Sequence, residues 1–169
     1  MGLKEIKQEL LKQDKEILVK HILELYKKYD FAKEYFDFYV TPDEEKILEK
    51  YKEKVREGFF PKRGMRLKLS LSRKAINDFR RLETSKEKLG DLMLYYVECG
   101  VKFTNNFGDI SESFYTSAEN TFEKSLSYFA KEGVLDKYKE RAEQILKNTA
   151  DSGWGFGDTI EDIYYNYYE

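Results

Sequence analysis

Apolar residues recur every three or four positions along most of this chain, which is the spacing of one face of an α-helix. In the first 40 residues this spacing predicts three helices, over residues 3–13, 15–29 and 31–40, with Asp14 and Asp30 as caps of the second and third. Thr41–Glu44 reads Thr-Pro-Asp-Glu. A capping threonine, a proline at the first helical position and a glutamate that closes a capping box predict a fourth helix, which ends near Gly58.

The helical spacing breaks down between Phe59 and Leu71. Leu67, Leu69 and Leu71 alternate with other residues as in a strand, but the chain offers no second strand for pairing. We therefore expect an extended, irregular segment here. Helical spacing resumes after Ser72, which is expected to cap the fifth helix.

The second half of the chain carries a helix signal at the start of most segments. Thr84–Glu87 forms another capping box, for a helix that frays between residues 100 and 106. Asp109 is expected to cap a helix that ends before Gly133, another helix follows over residues 134–150, and Asp158 is expected to cap the last. Eight or nine helices with short connections predict an all-α, single domain over residues 1–169. It is expected to be a helical bundle or a short stack of antiparallel helical hairpins.

One segment of the sequence has a near copy. Residues 107–115 (FGDISESFY) and 156–164 (FGDTIEDIY) share Phe, Gly, Asp, Glu and Tyr at the same spacing, 49 residues apart. The similarity does not extend upstream. Either a helical hairpin was duplicated, or the same chemistry for starting a helix arose twice.

Composition and charge narrow the class of protein. A single cysteine, Cys99, excludes an intrachain disulfide and, without a signal peptide, indicates a reducing cytoplasm. No apolar run approaches the roughly 20 residues of a membrane span, so no membrane partner is expected. The formal net charge is only −2, but residues 50–81 hold 12 Lys or Arg against 3 Asp or Glu, and residues 105–169 hold 6 against 13. Such a separation is informative about partners rather than about the fold.

The basic segment, residues 50–81, contains the candidate anion-binding or partner-binding residues. These are Lys62, Arg63, Arg66, Arg73 and Lys74. Arg73 and Lys74 are expected in the first turn of a helix, where the macrodipole disfavours cations unless an anion lies nearby. That anion could be a nucleic-acid phosphate, a small phosphorylated ligand or the acidic C-terminal half of the chain itself, and the last of these is favoured.

Metal-binding and catalytic residues are scarce. His21 and Cys99 are the only imidazole and thiol side chains, which excludes zinc clusters. We expect His21 at the edge of the core and Cys99 to be buried and inert. A carboxylate-only metal site could form if the two Phe-Gly-Asp turns met, using Asp109, Glu112, Asp158 and Glu161. Helix capping explains these acids better, so no metal, cofactor or catalytic residue is predicted.

Aromatic residues near the C-terminus are candidates for partner contact. The glycine-rich stretch 152–157 precedes a predicted helix, but its acidic flanks would repel a phosphate. We expect Trp154 and Phe156 to pack tightly or to meet a partner. In the last helix Tyr165 and Tyr168 point away from the predicted inward face, so at least one of them should be exposed.

Four stretches together resemble a known family. They are KEYFDFYV (33–40), FFPKRG (59–64), LMLYYVECGVKFTNNFGD (92–109) and GWGFGD (153–158). They resemble a family of small bacterial proteins that is described as a domain of unknown function. The resemblance implies a bacterial, cytoplasmic protein, and it brings no activity, cofactor or catalytic residue.

The sequence therefore ranks functions without identifying one. The leading hypothesis is a non-catalytic module that binds another protein, since no catalytic constellation is present and the charges are separated along the chain. The alternative is a nucleic-acid-binding accessory protein that uses the basic segment 50–81. An enzyme built on carboxylates and tyrosines is the third hypothesis. Homo-oligomerisation is left open.

Overall fold

The computed structural model describes residues 2–64, 66–149 and 152–168. These residues form nine α-helices and a 3₁₀ helix over Leu135–Tyr138, with no strand, which confirms the all-α prediction. The helices are α1 (Leu3–Leu10), α2 (Lys15–Lys28), α3 (Asp30–Val40), α4 (Glu44–Phe59), α5 (Leu69–Arg81), α6 (Lys86–Phe107), α7 (Glu112–Lys131), α8 (Lys139–Asn148) and α9 (Phe156–Tyr168).

Contacts along the chain define two compact units, Met1–Asp43 and Glu44–Glu169. The N-terminal unit contains α1, α2 and α3, and the C-terminal unit contains the other helices. A single domain over residues 1–169 stays a prediction.

The core of the C-terminal unit is built around α6. This helix contacts α4, α5, α7 and α8, and twelve of its 22 residues are buried. Two of these are glycines that bring α7 close. A Cβ atom at Gly100 would lie 2.5 Å from Cζ of Phe114, and one at Gly90 would lie 2.7 Å from Cε1 of Phe129. The absence of a side chain at both positions therefore sets the spacing between α6 and α7.

Several helices begin at a different residue from the one predicted, because the expected capping side chain has a partner elsewhere. α4 begins at Glu44 and not at Pro42. The carboxylate of Glu44 accepts hydrogen bonds from the backbone N–H (2.6 Å) and hydroxyl (2.7 Å) of Ser85, at the start of α6. Ser85 in turn is the N-cap of α6 and accepts from the backbone N–H of Lys88, so the prediction that Thr84 caps this helix is wrong by one residue.

The start of α5 was also predicted wrongly. The helix begins at Leu69, so the irregular segment is shorter than expected, and Ser72 lies inside the helix instead of capping it. The Ser72 side chain is buried and donates a hydrogen bond of 2.7 Å to the carbonyl oxygen of Val55 in α4. Arg73 and Lys74 consequently lie in the second turn of α5, where the helix macrodipole is no longer a strong penalty for cations.

The two Phe-Gly-Asp segments adopt different structures. Phe107 ends α6, and α7 starts after Ser111, whose hydroxyl caps it by accepting from the backbone N–H of Phe114 at 3.2 Å. Phe156, in contrast, begins α9, which places Asp158 within the first turn. Neither Asp109 nor Asp158 is therefore the predicted cap, and the two segments do not share a way of starting a helix.

The end of α7 follows the prediction. Gly133 has a φ of 69°, its N–H donates to Ala130 and the N–H of Val134 donates to Phe129. This pair of bonds is the Schellman arrangement, in which a left-handed residue reverses the chain after a helix.

Candidate interaction surfaces

The basic segment includes irregular backbone at residues 60–64 and 66–68, between α4 and α5. Two of its predicted site residues have partners in their own neighbourhood: Lys62 pairs with Glu53 of α4 at 3.1 Å, and Lys74 pairs with Asp78 of α5. Hydrogen bonds from Arg56 and Lys62 lower the pKa of Glu53 to about 2. For Lys62 and Lys74 the expectation of pairing with the acidic C-terminal half is therefore wrong, because closer carboxylates neutralise them.

The three arginines among the predicted site residues are exposed. Within the described ranges, Arg63 and Arg66 form no ion pair with another residue. Arg73 lies close enough to Tyr96 to affect its hydroxyl: burial raises the pKa of Tyr96, and the Arg73 guanidinium opposes that shift. The loop thus offers two free cations to an external anion, and the structure places Arg73 on the helix that follows.

Beside this loop lies an aromatic surface that the sequence analysis missed. Phe60 is 6.0 Å from Phe103, and Phe103 is 5.0 Å from Phe107, measured between ring centroids. The Phe107 side chain is 62% exposed, and the ammonium group of Lys102 lies 6.0 Å from the Phe60 centroid. We call Phe60, Phe103 and Phe107 the aromatic ladder. The i, i+4 spacing of Phe103 and Phe107 was visible in the sequence. Their position on α6 beside Phe60, which follows the end of α4, was not.

A polar cleft of about 560 Å³ opens where α6 and α8 end. It is lined by Thr104, Asn105, Gly108, Asp109, Lys147, Asn148 and Ser152. Asn105 donates to the carbonyl oxygen of Asn148 at 2.9 Å, and the Asp109 carboxylate accepts a hydrogen bond from the Tyr115 hydroxyl. Asp109 therefore ties the segment between α6 and α7 to the first turn of α7.

The four carboxylates considered for a metal site, Asp109, Glu112, Asp158 and Glu161, are not gathered into one in the described part of the chain. Among residues 2–64, 66–149 and 152–168 no group of three or more His, Cys, Asp and Glu side chains is arranged to hold a metal ion. Asp109 is engaged with Tyr115, Asp158 lies in the first turn of α9, and Glu112 and Glu161 are exposed.

The C-terminal aromatic residues divide into buried and accessible ones. Phe156 is only 1% exposed and packs 4.7 Å from Tyr115, so its predicted role in partner contact is wrong. Trp154 is 57% exposed and covers the same tyrosine at 5.6 Å. Tyr165 is exposed, which confirms the expectation for the last helix, whereas Tyr168 is half-buried and donates to the carbonyl oxygen of Leu135.

An ion-pair network that the sequence did not reveal links three helices. Arg141 of α8 makes two hydrogen bonds to Glu98 of α6, at 2.7 and 3.0 Å, and a third to Asp91 at 2.7 Å. Lys52 of α4 reaches the same Asp91 carboxylate at 3.3 Å. Burial lowers the pKa of Arg141, but its two carboxylate partners raise it by more. Because each of these charges has an oppositely charged partner, the network connects α4, α6 and α8 within the C-terminal unit.

The two side chains considered for nucleophilic chemistry lie in different environments. Cys99 is buried, which confirms the expectation of its burial, and this burial raises the pKa of its thiol to about 12. His21 is exposed on α2, so its predicted place at the edge of a core is wrong. The reason is that none of the residues of α2 is buried.

The N-terminal unit presents an extended apolar surface. No residue of α1, α2 or α3 is buried, although α2 and α3 pack together as a hairpin in which the Tyr26 hydroxyl donates to Asp37 at 2.7 Å. We call Lys15–Val40 the α2–α3 hairpin. Large apolar side chains that are at least one third exposed in this unit are Leu3, Ile6, Leu10, Leu11, Ile17, Val19, Ile22, Leu23, Leu25, Tyr29, Tyr39 and Val40.

Comparison with known families assigns the chain. A family model described as a family of unknown function (DUF6155) matches residues 1–168. The chain belongs to this family. Because the DUF6155 match runs through both compact units, the N-terminal helices are as much a part of the family as the C-terminal unit. No curated protein and no solved structure matches the chain.

Membership in DUF6155 supplies no activity, so function has to be argued from the surfaces described above. Within the described ranges, none of the helices is both long enough and apolar enough to span a membrane. The surfaces that remain are the apolar N-terminal helices, the free cations beside the aromatic ladder, and the polar cleft.

Proposed function

We propose that this chain is a non-catalytic protein–protein interaction module of the cytoplasm that binds through its N-terminal helices. The observation that carries the proposal is the lack of any buried residue in α1, α2 and α3. These helices hold ten large apolar side chains that are at least one third exposed, and Leu11 and Tyr29 at their ends add two more. Val19, Ile22 and Leu23 are neighbours on one face of α2, since Ile22 and Leu23 follow Val19 by three and four residues. An exposed apolar patch is typical of sites where another macromolecule binds.

Helix length supports the same reasoning. α1, α2 and α3 have 8, 14 and 11 residues, and isolated helices shorter than about 12–15 residues are only marginally stable in water. Most helices in proteins are stabilised by burial of an apolar face, which these helices do not achieve against one another. A bound partner would supply the missing burial. A reducing cytoplasm fits the one buried, unpaired thiol of Cys99.

Affinity capture with matched variants tests the proposal. Val19→Glu combined with Leu23→Lys removes two side chains that are 44% and 50% exposed, while the new pair sits at i, i+4 in the orientation that stabilises a helix. Leu71→Glu, on α5, removes a 36% exposed apolar side chain from the other unit and serves as the control.

We expect the tagged wild-type chain and the control to retain a partner that the double variant loses. The partner, once purified, should bind the double variant at least about 10-fold more weakly, which corresponds to about 1.4 kcal/mol. Circular dichroism should show equal helix content in all three proteins. Binding that is equally strong in the double variant would refute the proposal.

Nucleic-acid binding is a second candidate, and the aromatic ladder favours it. Proteins that bind single strands combine cations with aromatic rings on which bases stack, and here Arg63 and Arg66 follow Phe60 closely in the loop. Fluorescence anisotropy with a labelled oligothymidine should then give a salt dependence of about −0.7 per contacted phosphate. Arg63→Gln with Arg66→Gln should flatten that slope, and Lys131→Gln, an exposed cation of α7, should not. No salt-dependent binding would exclude this candidate.

A further inference from the structure

We infer that the partner of the α2–α3 hairpin is a second copy of the same chain, and that two hairpins associate as an antiparallel four-helix bundle. This inference rests on the proposed function, because it names the occupant of the same surface. A hairpin of two packed helices is half of a four-helix bundle, and a two-fold axis supplies the other half.

The distribution of apolar residues around α2 requires neighbours on more than one side. At about 100° per residue, Leu25, Ile22 and Leu23 span roughly 160° of the helix circumference. All three remain 41–50% exposed, although α3 already packs on α2. A helix with so wide an apolar arc belongs in the interior of a bundle and not at its edge. One additional helix layer from a second hairpin would cover this arc.

The charges of the N-terminal unit favour a copy of itself over a strongly charged partner. Residues 2–43 contain 8 Lys and 9 Asp or Glu, distributed along the segment. Such a balanced surface neither attracts a nucleic acid or an anionic membrane nor repels an identical chain. Asp14, the N-cap of α2, and Glu16 outweigh Lys15 at the start of this helix, and Lys27 and Lys28 lie in its last turn. Two α2 helices that pack antiparallel would therefore place the acidic start of each beside the basic end of the other.

Sedimentation equilibrium of the full chain measures the predicted association directly. We expect wild-type protein and the Leu71→Glu control to approach twice the monomer mass of 20.2 kDa at tens of micromolar. Val19→Glu with Leu23→Lys should raise the dimer Kd by about 100-fold or more, because two charges would enter the apolar interface. A monomeric wild type, or a dimer of unchanged Kd in the double variant, would overturn the inference.

Charge reversal tests the antiparallel geometry without removing any apolar side chain. Glu16→Lys alone, and Lys27→Glu with Lys28→Glu, should each weaken self-association, since like charges would then meet at both ends. An equimolar mixture of the two variants should form a heterodimer about as tight as the wild-type dimer. No recovery in the mixture would overturn the antiparallel arrangement.

The proposed function and this inference fail differently. If the wild-type chain is monomeric but still captures another protein in a manner that depends on Val19 and Leu23, the second-copy inference is wrong and the proposed function stands. If the chain dimerises but the double variant dimerises equally, and captures partners equally, both are wrong.

Discussion

Gly100→Ala tests whether the spacing of α6 and α7 is fixed by contact between a glycine and an aromatic ring. The added methyl group would lie 2.5 Å from Cζ of Phe114, closer than real Cβ atoms approach any heavy atom. Phe114 is 1% exposed, and the rings of Phe59, Tyr96 and Tyr115 surround it at centroid distances of 5.6–6.3 Å. The ring therefore has no space into which it could move.

Two opposing effects determine the size of the change. Overpacking a well-filled core costs about 1–3 kcal/mol, whereas alanine is more favourable than glycine inside a helix by about 0.8–1.0 kcal/mol. Because the ring is enclosed, we expect the steric cost near its upper end. The variant should thus be about 1–2 kcal/mol less stable than the wild type.

Urea unfolding followed by circular dichroism measures this difference, and an unchanged m value would show that only stability has altered. Phe114→Leu provides the matched background, since a smaller side chain leaves room for the methyl group. In that background Gly100→Ala should be neutral or stabilising, which gives a coupling energy of at least about 1 kcal/mol. Equal or greater stability of the single variant Gly100→Ala in the wild-type background would refute the reasoning.

Three further predictions follow from the C-terminal unit. Cys99, whose buried thiol has its pKa raised to about 12, should react with a thiol reagent at pH 8 only very slowly in the native protein and rapidly in urea, and fast native labelling would contradict its burial. Ser111→Ala should lower the free energy of unfolding by about 1 kcal/mol, because α7 loses its capping hydroxyl. Asp158→Ala should lower it by at most about 0.5 kcal/mol, because Asp158 only lies in the first turn of α9. A larger loss for Asp158→Ala than for Ser111→Ala would show that Asp158 is a cap. Arg141→Met should lower the free energy of unfolding by about 2–3 kcal/mol in the same urea assay, because the carboxylate of Asp91 loses one of its partners. The loss should be smaller than for a fully buried ion pair, since the Arg141 side chain is partly exposed.

The sequence predicted which segments are helical but not where most of them begin. The three-to-four-residue spacing of apolar side chains indicates which side of a helix is buried, and the buried residues Leu89, Leu92 and Tyr96 of α6 follow this spacing. Helix starts were misplaced where a capping side chain found a distant partner. Glu44 binds Ser85, which is 41 residues away, and Ser72 binds Val55, which is 17 residues away. A local pattern carries no information about these long-range bonds.

The surfaces were predictable to a smaller degree. The excess of Lys and Arg in the sequence identified the basic segment. It did not reveal the neighbouring aromatic ladder, because that ladder forms between α6 and the segment that follows α4. Phe156 and Trp154 were indistinguishable in the sequence, and the fold buries one and exposes the other. The N-terminal helices were expected to contribute to a core, and only the three-dimensional structure places their apolar side chains at the surface.

The position of Trp154 determines what optical spectroscopy will report about this protein. It is the only tryptophan, and it is half-exposed in the turn before α9, 5.6 Å from Tyr115. Emission excited at long wavelength therefore comes from this turn and not from the aromatic interior around α6. If the turn opens before the helices melt, the fluorescence transition will precede the loss of ellipticity. Coincidence of the two curves would instead mark the α9 junction and the rest of the C-terminal unit as one cooperative element.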